Sequence, residues 1–322
     1  FHSVESADDL DDLRHALGAE KISLLGFSYG THLAAAAMRR HGERLHRVVL
    51  VGVEGPDHTR KLPSSLDTQM RRLSLLAAGD PRVGTAFPDT YGTLKRLLSR
   101  LEEQPVTVSI PDPQGRPVEV PVGREGLQLI LTMDAGDGND FPVFPALVYG
   151  LDQGDAGILA WFVRKRIAGF SRGVLATFYA VDGASGASPE RWLRIEREAR
   201  DAILGNVANA VFPEVNAALG IPDLGEGLRA PLHSTVPTLL ISGELDSNAP
   251  PYQAEELRWG LTDGTHLVVA HAGHEGMLGR EDVGIVIRDF LRGDDVRDRH
   301  LALPPVRFLS LAEAKEQRAL RR

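Results

Sequence analysis

A serine held between glycines, Gly26-Phe27-Ser28-Tyr29-Gly30, follows the apolar run Ile22 to Leu25 and precedes Thr31-His32-Leu33-Ala34, which reads as a helix. A hydroxyl in that setting sits at the tip of a sharp strand-to-helix turn, where flanking glycines let backbones approach closely. The helix N-terminus adds unpaired N–H groups and a partial positive charge where an oxyanion would form. Such a hydroxyl needs a base, and the base needs an acid to orient it. Asp246 follows the apolar run Thr238 to Gly243 across Glu244-Leu245, and His274 follows Leu267 to Ala270 across His271-Ala272-Gly273. Ser28, Asp246 and His274, in that chain order at the ends of three apolar runs, suit acyl transfer through a covalent intermediate.

Rival residues exist for each role. Gly169-Phe170-Ser171-Arg172-Gly173 repeats the spacing around Ser28, but Arg164, Lys165 and Arg166 stand just before it. Three adjacent charges do not fit a central buried strand, so the expectation rests on Ser28. Glu244 competes with Asp246 as the acid, and His271 with His274 as the base. His266, His271 and His274 lack a carboxylate at ligand spacing, so no metal site is expected. Glu54, at the end of the run Val48 to Val53, is placed to hold a substrate amine; the plainer reading is a turn residue before Gly55-Pro56.

These residues need a scaffold. Ser6-Ala7-Asp8-Asp9 has capping-box spacing, Leu10, Leu13 and Leu17 recur at helical spacing, and Gly18 marks an end. A strand Lys21 to Phe27, a helix Thr31 to His41 and a strand Val48 to Val53 follow, an alternation that implies parallel pairing. From about Gly55 to Pro231, prolines and short helical patterns dominate, as in Leu66 to Leu76, Tyr91 to Leu101 and the run from Pro189 to Leu204. Val106 to Ile110 and Val118 to Val120 read as a hairpin. Strands Thr238 to Gly243 and Leu267 to Ala270 and an amphipathic helix Asp282 to Leu291 close the pattern, and Leu301 to Arg322 is weakly patterned. The expected fold class is α/β: a partial core with a mostly parallel sheet, residues 1–55 and 231–322, and a large, mainly helical lid, residues 56–230, inserted between its strands.

Composition narrows the function. A chain of 322 residues, 43% hydrophobic, can bury a large core, and its formal charge of −8 argues against nucleic acid or anionic membranes as partners. The absence of cysteine removes thiol nucleophiles, disulfides and cysteine zinc sites. No apolar run approaches the roughly 20 residues of a membrane span. The expectation is a soluble protein, cytoplasmic, secreted or periplasmic, with no signal in the sequence for its oligomeric state.

Gly26-Phe27-Ser28-Tyr29-Gly30-Thr31 resembles the nucleophile elbow of the proline iminopeptidase and tripeptidyl aminopeptidase group of α/β-hydrolases. Val236 to Asp246 followed by Pro250-Pro251 is similar to that group's acid loop, and His271-Ala272-Gly273-His274-Glu275 to its Ala-Gly-His loop. The close likeness covers roughly residues 3–55 and 231–291. It implies Ser28 as nucleophile, His274 as base then acid, Asp246 as orienter, the Tyr29 N–H as one oxyanion donor, and no cofactor or metal. These hydrolases carry strands and a His-Gly-Gly-Pro-Gly type loop upstream of the elbow, which supplies a second oxyanion donor. Only about one helix precedes the elbow here. The expectation is therefore a C-terminal part of a longer hydrolase, poorly folded or nearly inactive alone. The leading function is an aminopeptidase cleaving short peptides. An esterase acting on small acyl substrates comes second, and an inactive fragment that only binds partners third.

Overall fold

The structure, a computed structural model, describes residues 2–112, 114–134, 137–171 and 176–320. Its first part runs α1 (Ser3–Ala16), β1 (Ile22–Phe27), α2 (Tyr29–His41) and β2 (Leu45–Val51). The inserted segment follows: α3 (Pro63–Gly79), α4 (Thr90–Glu103), the hairpin β3 (Val106–Pro111) and β4 (Pro117–Val122), α5 (Arg124–Asp134), α6 (Phe144–Asp152), α7 (Gly157–Ser171), α8 (Ala176–Ser185), α9 (Pro189–Ala199), α10 (Phe212–Leu219) and α11 (Glu226–Arg229). The last part comprises β5 (Thr238–Gly243), α12 (Pro251–Arg258), β6 (Gly264–Ala270), α13 (Glu281–Arg292), β7 (Leu301–Ala302) and α14 (Leu311–Leu320).

The main sheet has the order β1-β2-β5-β6-β7, and every pairing in it is parallel. Val51 of β2 pairs with Phe27 of β1 and with Ile241 of β5. The whole inserted segment thus departs and returns between two neighbouring strands. Because the strands are parallel, their carboxyl ends share one edge, where loops gather functional groups.

Alternation builds the core. Val49, Val51, Leu239 and Ile241 pack on Val283, Val286 and Phe290 of α13, while Val48, Leu50 and Leu240 face Ala34, Met38 and Leu257 on the other side. Leu50 and Leu240 are fully buried, and each such side chain contributes about 1.5–3 kcal/mol. The inserted segment has its own apolar core, in which Leu94, Leu97, Leu127, Phe144 and Leu159 are central. At the sheet's first edge, β1 leaves Leu25 54% exposed. No described helix is long and apolar enough to cross a membrane.

Several boundaries differ from the sequence reading. Helix α1 starts at Ser3, capped by His2, whose Nδ1 accepts the Glu5 N–H at 3.3 Å; Ser6 lies inside the helix. Strand β2 ends at Val51 because Gly52 turns to a φ of +62°. Helix α9 stops at Ala199 and turns follow. The tail is ordered in part: β7 extends the sheet, and Ala314 of α14 joins the apolar core of the inserted segment.

Candidate active site

Ser28 sits between β1 and α2 with φ 53° and ψ −125°. An L-residue holds such a conformation at a cost of about 1–3 kcal/mol, and only where its surroundings enforce it. Here the Ser28 N–H donates to the Val51 carbonyl at 3.0 Å, and its own carbonyl accepts from the Thr31 hydroxyl at 2.6 Å. Gly26 is required: a Cβ there would lie 2.4 Å from the Gly30 carbonyl oxygen. Gly30 is not required in the same way, since a Cβ there meets nothing within 4 Å among the described residues. The turn aims the Ser28 hydroxyl out of the sheet, with the Tyr29 N–H in the first turn of α2, where N–H groups lack helical acceptors.

The loops after β5 and β6 bring the other two residues to it. His274 Nε2 lies 2.8 Å from Ser28 Oγ, and its Nδ1 lies 2.8 Å from Asp246 Oδ2. With Nδ1–H donating to Asp246, Nε2 is free to accept from the serine hydroxyl. Asp246 Oδ1 accepts the backbone N–H groups of Asn248 and Ala249, each at 2.8 Å, so the carboxylate is held from both sides. The Asp246 side chain is fully buried and His274 only 4% exposed. The Phe27 ring packs on the imidazole with centroids 5.0 Å apart.

Gly52 completes this packing, and no pattern in the sequence marks it. A Cβ there would lie 2.9 Å from His274 Cε1 and 3.2 Å from Nδ1, at a φ of +62°. Gly52→Ala is therefore expected to displace the imidazole and lower kcat about 10²-fold, with KM little changed and some loss of Tm. Steady-state kinetics beside a melting curve tests this; an unchanged kcat would exclude Gly52 as a positioning residue.

The rivals are engaged elsewhere. Glu244 Oε2 accepts the His271 N–H at 2.9 Å, and His271 Nδ1 meets the Leu303 carbonyl at 2.9 Å. His266 lies between Glu255 and the Ser242 hydroxyl. The three histidines thus have separate partners. The Ser171 side chain lies outside the described residues, but its backbone ends α7 rather than following a strand.

Ser28 and His274 open onto a cavity of about 480 Å³, whose walls include Tyr29, Glu54, Lys61 and Asp182. Glu54 is 4% exposed and ion-paired to Lys61. Its backbone N–H donates to the Thr31 hydroxyl at 2.7 Å, which ties the Glu54 turn to the elbow. Asp182, from α8, is 8% exposed, and its Oδ1 has no hydrogen-bond partner among the described residues. Burial, reinforced by the Glu54 charge, pushes its carboxyl up to about 7. On another wall, Lys165 Nζ bridges Asp134 at 2.9 Å and Asp140 at 2.7 Å, and Arg166 also meets Asp134. Burial raises Asp134 to about 6 against the pull of these cations. Asp134, Asp137 and Asp140 bring carboxylate oxygens within 4.8 Å of one another, but Lys165 and Arg166 already supply positive charge there.

The sequence profile of the alpha/beta hydrolase fold family matches residues 1–280. A 55-residue stretch is 38% identical to the serine protease Hip1 of Mycobacterium tuberculosis, and the same holds for that of Mycobacterium bovis. The match covers 17% of this chain and 11% of the relative, so the chain spans about a tenth of the length of the curated relatives it matches. Among solved structures, an esterase from Exiguobacterium antarcticum is similar at 15% identity, over 91% of this chain and 74% of that one, with a TM-score of 0.39. A thermophilic esterase from Thermogutta terrifontis is similar at 19% identity over 91% and 72%, with a TM-score of 0.35. With residues 1–280 of 322 matched, the chain belongs to the alpha/beta hydrolase fold family.

Proposed function

We propose that this alpha/beta hydrolase is a serine hydrolase, and within that class an aminopeptidase acting on short peptides with a free N-terminus. The hydrogen-bonded line from Ser28 through His274 to Asp246, at the mouth of a cavity whose walls carry Glu54 and Asp182, carries the reading. The local likeness to a serine protease supports it.

Ser28 Oγ attacks the scissile carbonyl carbon while His274 Nε2 takes the hydroxyl proton. Asp246 stabilises the resulting imidazolium. The carbonyl oxygen becomes an oxyanion facing the Tyr29 N–H at the start of α2. Collapse of this intermediate expels the amine, which leaves with the proton from His274, and an acyl ester remains on Ser28. Water, deprotonated by His274, then attacks the ester and releases the acid.

In an aminopeptidase the acyl part carries the free α-ammonium, and the two carboxylates on the cavity wall, Glu54 and Asp182, are the groups proposed to receive it. Glu54 already meets Lys61, so Asp182, with its unmatched oxygen, becomes the main partner and Glu54 the supporting charge. Asp182 attracts an ammonium only when ionised, above about 7, whereas a peptide amine loses its charge near 7.7–8.0. Preference for a free amine over the N-acetylated peptide, taken as a ratio of kcat/KM values, is therefore expected to rise through about pH 7 and fall above about pH 8. Both substrates use the same nucleophile, so the ratio isolates the amine site. Asp182→Asn is expected to bring it near one at every pH. Stability gives a second check. A carboxyl raised in the folded state binds its proton more tightly there, so its contribution is lost as pH rises from about 4 to about 7. Asp182→Asn should flatten that decline. Equal turnover of blocked and free peptides by the wild type would remove the aminopeptidase reading, and turnover of short acyl esters alone would replace it with an esterase.

A further inference from the structure

A second cavity, of about 320 Å³, lies in the inserted segment beside the catalytic one, with Phe212 on the wall of both. Its lining includes Arg60, Trp192, Pro213, Asn216 and Ile221. We propose that this cavity binds a small monocarboxylate with an apolar or aromatic body, held by Arg60.

The argument begins with the cation. Arg60 is 1% exposed, and burial lowers its guanidinium only to about 10, so it stays charged at neutral pH. One nitrogen, Nη2, donates to the Asp182 carbonyl at 2.8 Å. Nε and Nη1 have no hydrogen-bond partner among the described residues, and no carboxylate there forms an ion pair with this arginine. Buried cations are ordinarily paired, because desolvation without a counter-charge is unfavourable. The Phe212 face, 3.7 Å from Cζ, offers its quadrupole and no hydrogen-bond acceptor of ordinary strength.

The surroundings restrict the ligand. One guanidinium with no carboxylate hydrogen-bonded to it among the described residues matches one negative charge. A dianion would also face Glu54 and Asp182, which lie close enough to act on Arg60 electrostatically. Asp223 on the same wall is paired to Arg229, which offsets its negative charge toward an anionic ligand. Trp192, Phe212, Pro213 and Ile221 favour an apolar body, and the buried Asn216 Oδ1, also unpartnered, can accept from an N–H on it. The volume suits a ligand of amino-acid size.

Calorimetric titration of the purified protein with phenylacetate, beside its neutral isostere phenylacetamide, tests the proposal without relying on hydrolysis. Phenylacetate is expected to bind saturably at one site, and the amide about ten-fold or more weakly, since a charge-assisted contact is lost. Arg60→Met should abolish phenylacetate binding. Should that variant not fold, Ile221→Phe narrows the cavity with Arg60 in place, and should abolish binding while Ser28 still reacts with a fluorophosphonate. Equal affinity for acid and amide, or no saturable binding at millimolar concentration, would overturn the proposal. So would binding that survives Ile221→Phe and blocks fluorophosphonate labelling, because the ligand would then occupy the catalytic cavity.

Discussion

A fluorophosphonate probe is expected to label this protein at Ser28, and Ser28→Ala to lose the label together with about 10⁶-fold in kcat. The probe reports an activated hydroxyl rather than an exposed one. Activation requires an imidazole nitrogen within hydrogen-bond reach, and His274 Nε2 is 2.8 Å away. The strained turn, with Ser28 at φ 53°, holds the hydroxyl out of the sheet toward that nitrogen. Ser171→Ala should keep full labelling, because that residue ends a helix and follows no strand. Alanine at position 28 removes only the hydroxyl, so a melting curve like that of the wild type is expected beside the loss. Labelling that persists in Ser28→Ala would place the nucleophile elsewhere and undo the assignment of all three residues.

Asp246→Asn tests the far end of the line, and about a 10⁴-fold fall in kcat is expected. The reason is a tautomer. Oδ1 is fixed by the Asn248 and Ala249 N–H groups, so an asparagine keeps its oxygen there and turns its amide N–H₂ toward His274. Nδ1 must then accept, and the ring proton moves to Nε2, where it faces Ser28 and cannot take the hydroxyl proton. The size and most of the contacts of the side chain are unchanged, so Tm should fall by only a few degrees. A fall in kcat of less than ten-fold in a folded variant would show that another group orients His274.

Ser28, Asp246 and His274 were legible in the sequence because each ends a short apolar run, and parallel strands bring such ends to one edge. The inserted helices were legible as a class, since proline-initiated, leucine-periodic stretches replace the strand pattern after Gly55. What the sequence did not show are residues whose meaning is purely spatial. Asp182 is an ordinary carboxylate within a helix until α8 turns it into the cavity, and Arg60 becomes an unpaired cation only through the packing around it. Gly52 looks like any strand-end glycine; its importance comes from an imidazole supplied more than two hundred residues later. Helix starts failed for a related reason. His2 competes with Ser6 as a cap, and local spacing alone does not rank a side-chain nitrogen against a hydroxyl.

The departure of the inserted segment between two adjacent strands has a kinetic consequence. Ser28 and His274 are 246 positions apart, so no local folding event can join them. The β2–β5 pairing must close a loop holding the entire insertion, and closure entropy grows only with the logarithm of loop length. An insertion with its own apolar core can fold first and bring the strand ends together. During refolding, helical signal should return early and reactivity toward an acylating probe last. A chain emerging from the ribosome would then display its serine elbow long before His274 exists to activate it.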